Sequence, residues 1–413
     1  MDIQAFFSYM NTALTPYHAA RESLSLLAEA GFSPLAWTDD WSLAPGGRYT
    51  VDLVDGMTFA FALPTGTPQG FRIVASHNDS SALRLKPQPE IVREGCTMLN
   101  LEVYGGPLLA TWFDRPLAIA GHVFSRSDDW AHPTEHLVQL ADTVTIPSLA
   151  AHMKRGDGAI EPQKELLALW GDANAPSVSQ HVARAFSLDE TDILASELYL
   201  VSAESAATVG AGGTLYSASR IDNLANAYAA TTAIAAAQPH THIACFISYQ
   251  HEEIGSHSRG GAAGPRLRQA LARIAHAIGA PLDPLLAESV ILSCDQAHAA
   301  HPNYPEKADP VLRPRLGEGP VLKLAASHSY ATTPRGEAML RALARETDVP
   351  LQAFANRAGS RGGSTIGPIA EVATGILTID LGNPMLAMHS IRELADLRDQ
   401  ASIQALMTAF LSC

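Results

Sequence analysis

Apolar and polar positions alternate along the chain in two distinct ways. Residues 3–30 have the spacing of amphipathic helices, and the apolar run Arg72–Ser76 predicts a strand that ends at His77. From about Lys86 to Leu200, short apolar runs are separated by Gly, Pro and charged residues, which is typical of antiparallel strands. The strands predicted there are Leu99–Tyr104, Leu108–Phe113 and Leu117–Phe124, and Ile160–Ala195 is more helical and polar.

After Gly210–Gly213 the pattern alternates between strands and helices. The predicted strands are His242–Tyr249, Ser289–Cys294 and Gly375–Asp380; the predicted helices are Asn223–Ala237, Arg259–Ile278, Glu337–Glu346 and Ile391–Leu411. This order predicts an α/β fold, with a mostly parallel sheet sandwiched by helices. A chain of 413 residues exceeds one ordinary core. We expect a main domain (1–87 and 210–413) and an inserted, mainly β domain (88–209).

Composition and charge exclude several function classes. The 47% hydrophobic and 17% charged content excludes global disorder. A net charge of −14 without any Lys/Arg block argues against general nucleic-acid binding, and an anionic substrate would need a local cation. The four cysteines form no C-x-x-C pair, which fits a reducing compartment. With no signal-peptide pattern and no apolar stretch long enough for a membrane, we expect a cytoplasmic protein.

Potential metal ligands follow the predicted strands. In open α/β sheets, ligands bind beyond the carboxyl ends of the strands. The candidates at such positions are His77, Glu252, Glu253, Asp295 and, after a short loop, His389, while Asp222 opens a helix. Asp79 is close enough to His77 in the chain to orient its imidazole ring without binding the metal itself.

Each candidate alone has a structural alternative. His77 and Asp79 could cap a loop, Asp222 could be a helix N-cap, and the Glu252–Glu253 pair could lie on a solvated surface. His389, at the start of the predicted last helix, could make only local hydrogen bonds. His298 and His301 form a His-x-x-His pair but could equally be structural, and Gly362–Gly367 lacks the ending of a phosphate loop. Taken together, five His/Asp/Glu ligands with one bridging carboxylate match two zinc ions, and one further Glu would be a general base.

Several longer motifs carry a family resemblance over nearly the whole chain. They are Val103–Gly106 (VYGG), Thr111–Arg115 (TWFDR), Ile146–Ala150 (IPSLA) with His152, and Gly363–Pro368 (GSTIGP). With the five ligand motifs, they resemble the aspartyl aminopeptidase family of dinuclear zinc metallopeptidases.

The resemblance implies an enzyme that removes N-terminal residues, with a preference for Asp or Glu. One zinc ion would be held by His77, Asp222 and Asp295, and the other by Asp222, Glu253 and His389; Co²⁺ or Mn²⁺ are conceivable substitutes. Glu252 would be the general base, and Asp79 would orient His77.

The same resemblance implies substrate contacts and an assembly. Lys323 would pair with the acidic side chain, Tyr330 and His298 would line the pocket, and His152 would reach a neighbouring subunit's site. The inserted domain would mediate dimerisation and gate the substrate, and dimers would assemble into a dodecamer.

The chain departs from the family pattern around the substrate pocket. The differing positions are Gln250, Ala308, Leu312 and Gly359–Gly362, with Arg361 as an additional cation. Two other functions stay open from the sequence: a dinuclear amidase or deacylase acting on N-acyl amino acids, and a non-catalytic assembly protein on the same scaffold.

Overall fold

The largest sheet carries the strands that end at the proposed ligands. A computed structural model describes residues 1–53, 56–153, 159–360 and 362–413, and the sheet is built from nine strands of these ranges. In spatial order they are Ser33–Leu35 (β1), Arg48–Asp52 (β2), Thr58–Ala62 (β3), Ile243–Tyr249 (β13), Phe71–His77 (β4), Val290–Cys294 (β14), Leu377–Gly382 (β18), Val321–Leu324 (β16) and Gln352–Ala355 (β17).

The centre of this sheet is parallel. Strands β13, β4, β14 and β18 run in one direction, and antiparallel pairing appears only further out, as between β13 and β3 or between β18 and β16. The four central strands are buried almost throughout and mostly apolar, as expected when both faces of a parallel sheet are covered. Their carboxyl ends therefore meet at one edge of the sheet.

Helices cover both faces of the sheet, which confirms the predicted α/β sandwich. In chain order the helices are Ile3–Thr12 (α1), Pro16–Glu29 (α2), Pro162–Glu165 (α3), Val178–Phe186 (α4), Ile221–Ala236 (α5), Arg266–Ala277 (α6), Leu282–Ala287 (α7), Pro334–Glu346 (α8), Ile366–Thr374 (α9) and Leu397–Ser412 (α10). Helices α6, α7 and α9 pack on one face, while α2, α5, α8 and α10 pack on the other. Among the residues described, no helix has the length and apolar character needed to cross a membrane.

A small five-stranded sheet, separate from the large one, corrects the prediction of a helix over Ile391–Leu411. Its strands, in spatial order, are Ala207–Val209 (β11), Leu215–Ala218 (β12), Glu393–Asp396 (β20), Pro384–Leu386 (β19) and Ala297–His298 (β15). The segment Glu393–Asp396 pairs antiparallel with both β12 and β19, so tertiary pairing overrides the helical pattern there. Helix α10 begins only at Leu397, where the Asp396 side chain caps the N–H of Arg398 at 2.8 Å.

The second compact unit consists of residues 80–205 together with 389–392; the first holds 1–79, 206–388 and 393–413. The second unit contains an antiparallel sheet whose strands, in spatial order, are Thr134–Val144 (β8), Leu117–Ser125 (β7), Ile193–Ser202 (β10), Ala82–Arg93 (β5), Cys96–Tyr104 (β6) and Ala168–Asp172 (β9). The predicted domain limits, 87/88 and 209/210, and the dimerising role of the insertion stay predictions.

Two other local predictions were wrong. Leu108–Phe113 is not a strand: Leu109–Trp112 is a 3₁₀ helix, because the N–H and hydroxyl of Thr111 both donate to the Leu108 carbonyl and close a turn. Helix α6 begins at Arg266 rather than Arg259, because the preceding residues form a glycine-containing loop in which Gly264 N donates to Gly261 O.

Candidate active site

His77 is the last residue of β4, and its side chain is only 1% exposed. Its Nδ1 atom lies 3.1 Å from the backbone O of Asp79 and 3.4 Å from the Asp79 carboxylate. Its Nε2 atom faces carboxylates: Asp295 Oδ1 at 3.4 Å, Asp222 Oδ1 at 3.5 Å and Glu252 Oε2 at 3.9 Å. One imidazole is thus oriented from one side and surrounded by acids on the other.

Asp222 is held at the beginning of α5 by buried polar contacts. Asp222 and Asn223 have non-helical backbone angles, so the regular helix starts after them. The backbone N–H of Asp222 donates to Glu393 Oε2 at 3.0 Å, and the Asn223 amide donates to the Cys294 carbonyl at 2.7 Å. These bonds fix the segment against the ends of β20 and β14.

Asp295 follows β14 directly, and its backbone N–H donates to the Leu381 carbonyl at 2.9 Å. Its Oδ2 atom lies 3.3 Å from Nζ of Lys323, a residue of β16 that is 3% exposed. Burial, the largest single influence, disfavours the charge of Lys323, but Asp295, Tyr330, Asp380 and Asp222 together raise the pKa of the lysine above its usual value. The structure therefore pairs Lys323, which was predicted to contact the substrate, with Asp295, which was predicted to bind a metal ion.

Glu252 and Glu253 lie in a single 3₁₀ turn, Glu252–Ile254, that follows β13. The Asp79 carboxylate receives the backbone N–H of Glu252 at 3.1 Å and that of Glu253 at 3.2 Å. Asp79 is fully buried, so it links the exit of β4 to the turn after β13. The sequence indicated only its contact with His77.

The donor set fits a divalent cation of the zinc class. His77, Asp222 and Asp295 each offer one ligand atom, and these atoms lie within 4.8 Å of one another; Asp222 and Glu253 also offer atoms within 4.8 Å. Burial alone would lower the pKa of His77, but its bonds with Asp222, Asp295 and Asp79 raise that pKa well above the usual value. Three carboxylates close to one imidazole bring several negative charges together, and nitrogen with carboxylate oxygen is a donor set that zinc accepts.

Glu252 differs from the other acids in its environment. Burial raises the pKa of its carboxyl group, His77 opposes the rise, and the neighbouring Asp295, Glu253 and Asp222 add to it. A carboxylate with a raised pKa beside the ligand cluster can take up a proton and return it.

The proposed pocket residues lie on neighbouring elements of the same unit. Tyr330 is buried, with the centre of its ring 5.5 Å from Lys323 Nζ. The ring of Phe354, on β17, is 6.2 Å from Tyr330 and 6.5 Å from the exposed His298. Sequence reasoning missed Phe354, because a single aromatic residue in a short apolar run is more often part of a core.

The remaining predicted residues belong to the second unit or lie outside the described chain. His389 lies in a loop between β19 and β20, not at a helix start, and its Nδ1 atom is 3.1 Å from the Gly106 carbonyl. His152 is exposed in a turn next to the undescribed residues 154–158. Arg361 also falls outside the described residues.

Comparison with known proteins identifies the family. A family model described as aminopeptidase I zinc metalloprotease (M18) matches residues 9–411. The probable M18 family aminopeptidase 2 of Clostridium acetobutylicum is 36% identical over 405 residues, which cover 94% of each chain.

Solved structures agree with this match. The chain resembles one in the cryo-EM structure of the Ape4 and Nbr1 complex, with 31% identity, a TM-score of 0.93 and coverage of 98% of this chain and 84% of that one. For the S. cerevisiae mApe1 dodecamer, the identity is 26%, the TM-score 0.86 and the coverage 98% and 95%. The chain therefore belongs to the M18 family of zinc metalloproteases and is an aminopeptidase.

Proposed function

We propose that the chain removes acidic residues from the N-termini of peptides at a site for two zinc ions. The observation that carries the proposal is the cluster of His77, Asp222 and Asp295 at one edge of the sheet. Glu252 Oε2 lies 3.9 Å from Nε2 of His77, beside this cluster. This arrangement provides metal ligands and a separate base in one place.

One ion would take His77, Asp222 and Asp295, and the other Asp222, Glu253 and His389. Asp222 offers a ligand atom within 4.8 Å of those of His77 and Asp295, and one within 4.8 Å of that of Glu253. Both observations support its bridging role. The part of His389 rests on the family resemblance. When bound, zinc supplies a Lewis acid that polarises a carbonyl group and acidifies water.

The protein's own residues then handle the proton. Glu252 takes a proton from the attacking water and returns it to the amine that leaves, a role that suits the position of its Oε2 atom 3.9 Å from Nε2 of His77. Asp79 fixes the turn that carries Glu252, and it holds Nδ1 of His77 so that Nε2 is aimed at the cluster.

Lys323 would select an acidic N-terminal side chain. Its ammonium group has three N–H donors and spends one on Asp295, so further donors can serve a substrate carboxylate. Tyr330, with its ring beside the ammonium, and His298 would line the same pocket. In a chain of net charge −14, this buried cation is what an anionic side chain requires.

Self-association is proposed from the relatives. The S. cerevisiae mApe1 is a dodecamer, and we propose that this chain also forms dimers that assemble further, with the inserted domain, residues 88–209, contributing to the dimer. His152 would then reach a neighbouring subunit's site. We also propose that the enzyme works in the cytoplasm.

The metal and base assignments are tested together. Purified protein should contain about two zinc-class ions per chain. Glu252→Gln should keep them but lose most of its turnover, by about two to four orders of magnitude. One ion or none would contradict the two-metal site, and near wild-type turnover in the variant would contradict the base.

The substrate is tested with a panel of N-terminal residue amides and N-acyl amino acids. We expect Asp and Glu amides to be cleaved best, and Lys323→Met to reduce kcat/KM for them by more than for Leu or Ala amides. Cleavage of N-acyl amino acids alone would favour the deacylase. An unchanged ratio of acidic to neutral amides in the variant would contradict the selecting role of Lys323.

A further inference from the structure

A second buried carboxylate, that of Asp380 on β18, connects three separate segments. Its Oδ1 atom accepts hydrogen bonds from the hydroxyls of Ser293 and Thr365, each at 2.6 Å. Its Oδ2 atom accepts the backbone N–H of Ala331 at 2.6 Å, and its own N–H donates to the hydroxyl of Thr332 at 2.9 Å. Asp380 is fully buried, so it cannot itself contact a substrate.

Two of the three segments border the proposed site, and the third begins helix α9. Ser293 lies on β14, opposite Asp380 in register and two residues before Asp295. Thr365 caps α9, and Ala331 directly follows Tyr330, whose ring lies beside Lys323. One carboxylate thus links the strand that leads to a metal ligand with the segment beside the pocket and with the start of α9.

The chain makes room for this carboxylate. A Cβ atom at Gly367 would lie 2.4 Å from Asp380 Oδ2, so the first turn of α9 can approach only as glycine. Burying an acid is costly unless its oxygens are fully bonded, and an apolar residue would serve a merely structural contact at least as well. Two hydrogen bonds tie the segment 330–332 to this residue: the N–H of Ala331 donates to the Asp380 carboxylate, and the N–H of Asp380 donates to the Thr332 hydroxyl.

We propose that Asp380 is a positioning residue for substrate binding: through Ala331, Thr332 and Thr365 it holds the Tyr330 wall of the pocket in register with the Asp295 end of β14. The inference rests on the proposed pocket and adds a specific requirement. The bonds of Asp380 are needed for binding rather than for the chemical step, and it is their geometry, not the negative charge, that matters.

Two substitutions separate geometry from charge. Asp380→Ala removes all three side-chain bonds and leaves the N–H of Ala331 without its acceptor. Asp380→Asn keeps an oxygen for that N–H, and its amide group can donate to the two hydroxyls, which accept as well as donate. We expect Asp380→Ala to raise KM about tenfold with kcat and zinc content little changed, because a displaced pocket wall weakens substrate binding and not the chemical step. Asp380→Asn should restore KM.

A matched control is the same truncation at Asp399. This aspartate is also fully buried, and its two oxygens accept the N–H groups of Gly317 and Gly319, each at 2.7 Å. Asp399→Ala should lower thermal stability while leaving KM unchanged. If Asp380→Ala yields no folded protein, Thr332→Val takes its place, because it removes the other bond of the same segment and should raise KM in the same direction.

All variants are compared on the residue amide that the wild-type enzyme cleaves best, whichever residue that is. A failure of the proposed zinc number or acidic preference then shows in the wild type, independently of Asp380. An unchanged KM in Asp380→Ala, or in Thr332→Val if it is the variant used, overturns the inference. So does an Asp380→Asn variant as impaired as Asp380→Ala, because charge would then be the requirement.

Discussion

Glu252 donates its backbone N–H to Asp79 Oδ1 at 3.1 Å, so the proposed base is tied to the residue that also holds the ring of His77. Asp79 Oδ2 accepts the next N–H, that of Glu253, at 3.2 Å. Asp79 therefore links three groups from two strand ends: its carboxylate accepts the two N–H groups, and its backbone O lies 3.1 Å from His77 Nδ1. Its two carboxylate oxygens are both in use as acceptors.

We expect Asp79→Asn to lower kcat by about 10- to 100-fold, as for other partners of metal ligands. An amide has only one acceptor oxygen, so one of the two N–H groups would face a donor and the turn that carries Glu252 would shift. Zinc content and kcat measured on the same preparation check this. A variant with wild-type kcat would show that the turn keeps its position without Asp79.

Glu393 supports the proposed bridging ligand, Asp222, by accepting its backbone N–H at 3.0 Å, and it is only 2% exposed. We expect Glu393→Gln to weaken zinc binding by about 10- to 100-fold. The measurement is a competition titration with a chelating dye. Glu204→Gln is a suitable control, because Glu204 pairs with Arg115 at 2.8 Å and lies at the surface. Equal zinc affinity in both variants would contradict the role of Glu393.

The strand ends of the candidate site could be predicted because a parallel sheet brings its carboxyl ends together. His77 and Asp295 each directly follow an apolar run, so their closeness follows from the pattern and the topology. The apolar runs themselves are short and contain Ile and Val, which favours strands over helices. This part of the site depends on local sequence alone.

Contacts between distant segments could not be predicted in this way. Glu393 appeared to belong to a helix. Its strand forms by pairing with β12, where its partner in the register is Ala218, 175 residues earlier in the chain. Asp380 appeared only as the polar end of a predicted strand, and its partners Ser293, Thr365 and Ala331 come from three other segments. No periodicity within one segment contains that information.

Gly367 provides a test of close packing around Asp380. We expect Gly367→Ala to destabilise the protein by about 1–3 kcal/mol, because the added methyl group would overpack the contact with the carboxylate. Gly363→Ala is the matched control in the same segment, since a Cβ atom there meets nothing within 4 Å. Chemical denaturation of both variants measures the difference. Equal midpoints for the two would contradict the close approach.

Acid stability should depend on His242, which lies just before β13, at the end of the sheet opposite the site. Burial, with a contribution from Arg72, lowers its pKa from 6.5 to about 4. Below about pH 6.5 the unfolded chain binds a proton at His242, whereas the folded chain binds it only near pH 4. The free energy of unfolding therefore falls as the pH decreases through this window. We expect His242→Gln to lose less stability than the wild type between pH 7 and pH 5, measured as denaturation midpoints. Zinc release at low pH affects both proteins alike, so parallel curves for the two would contradict the assignment to His242.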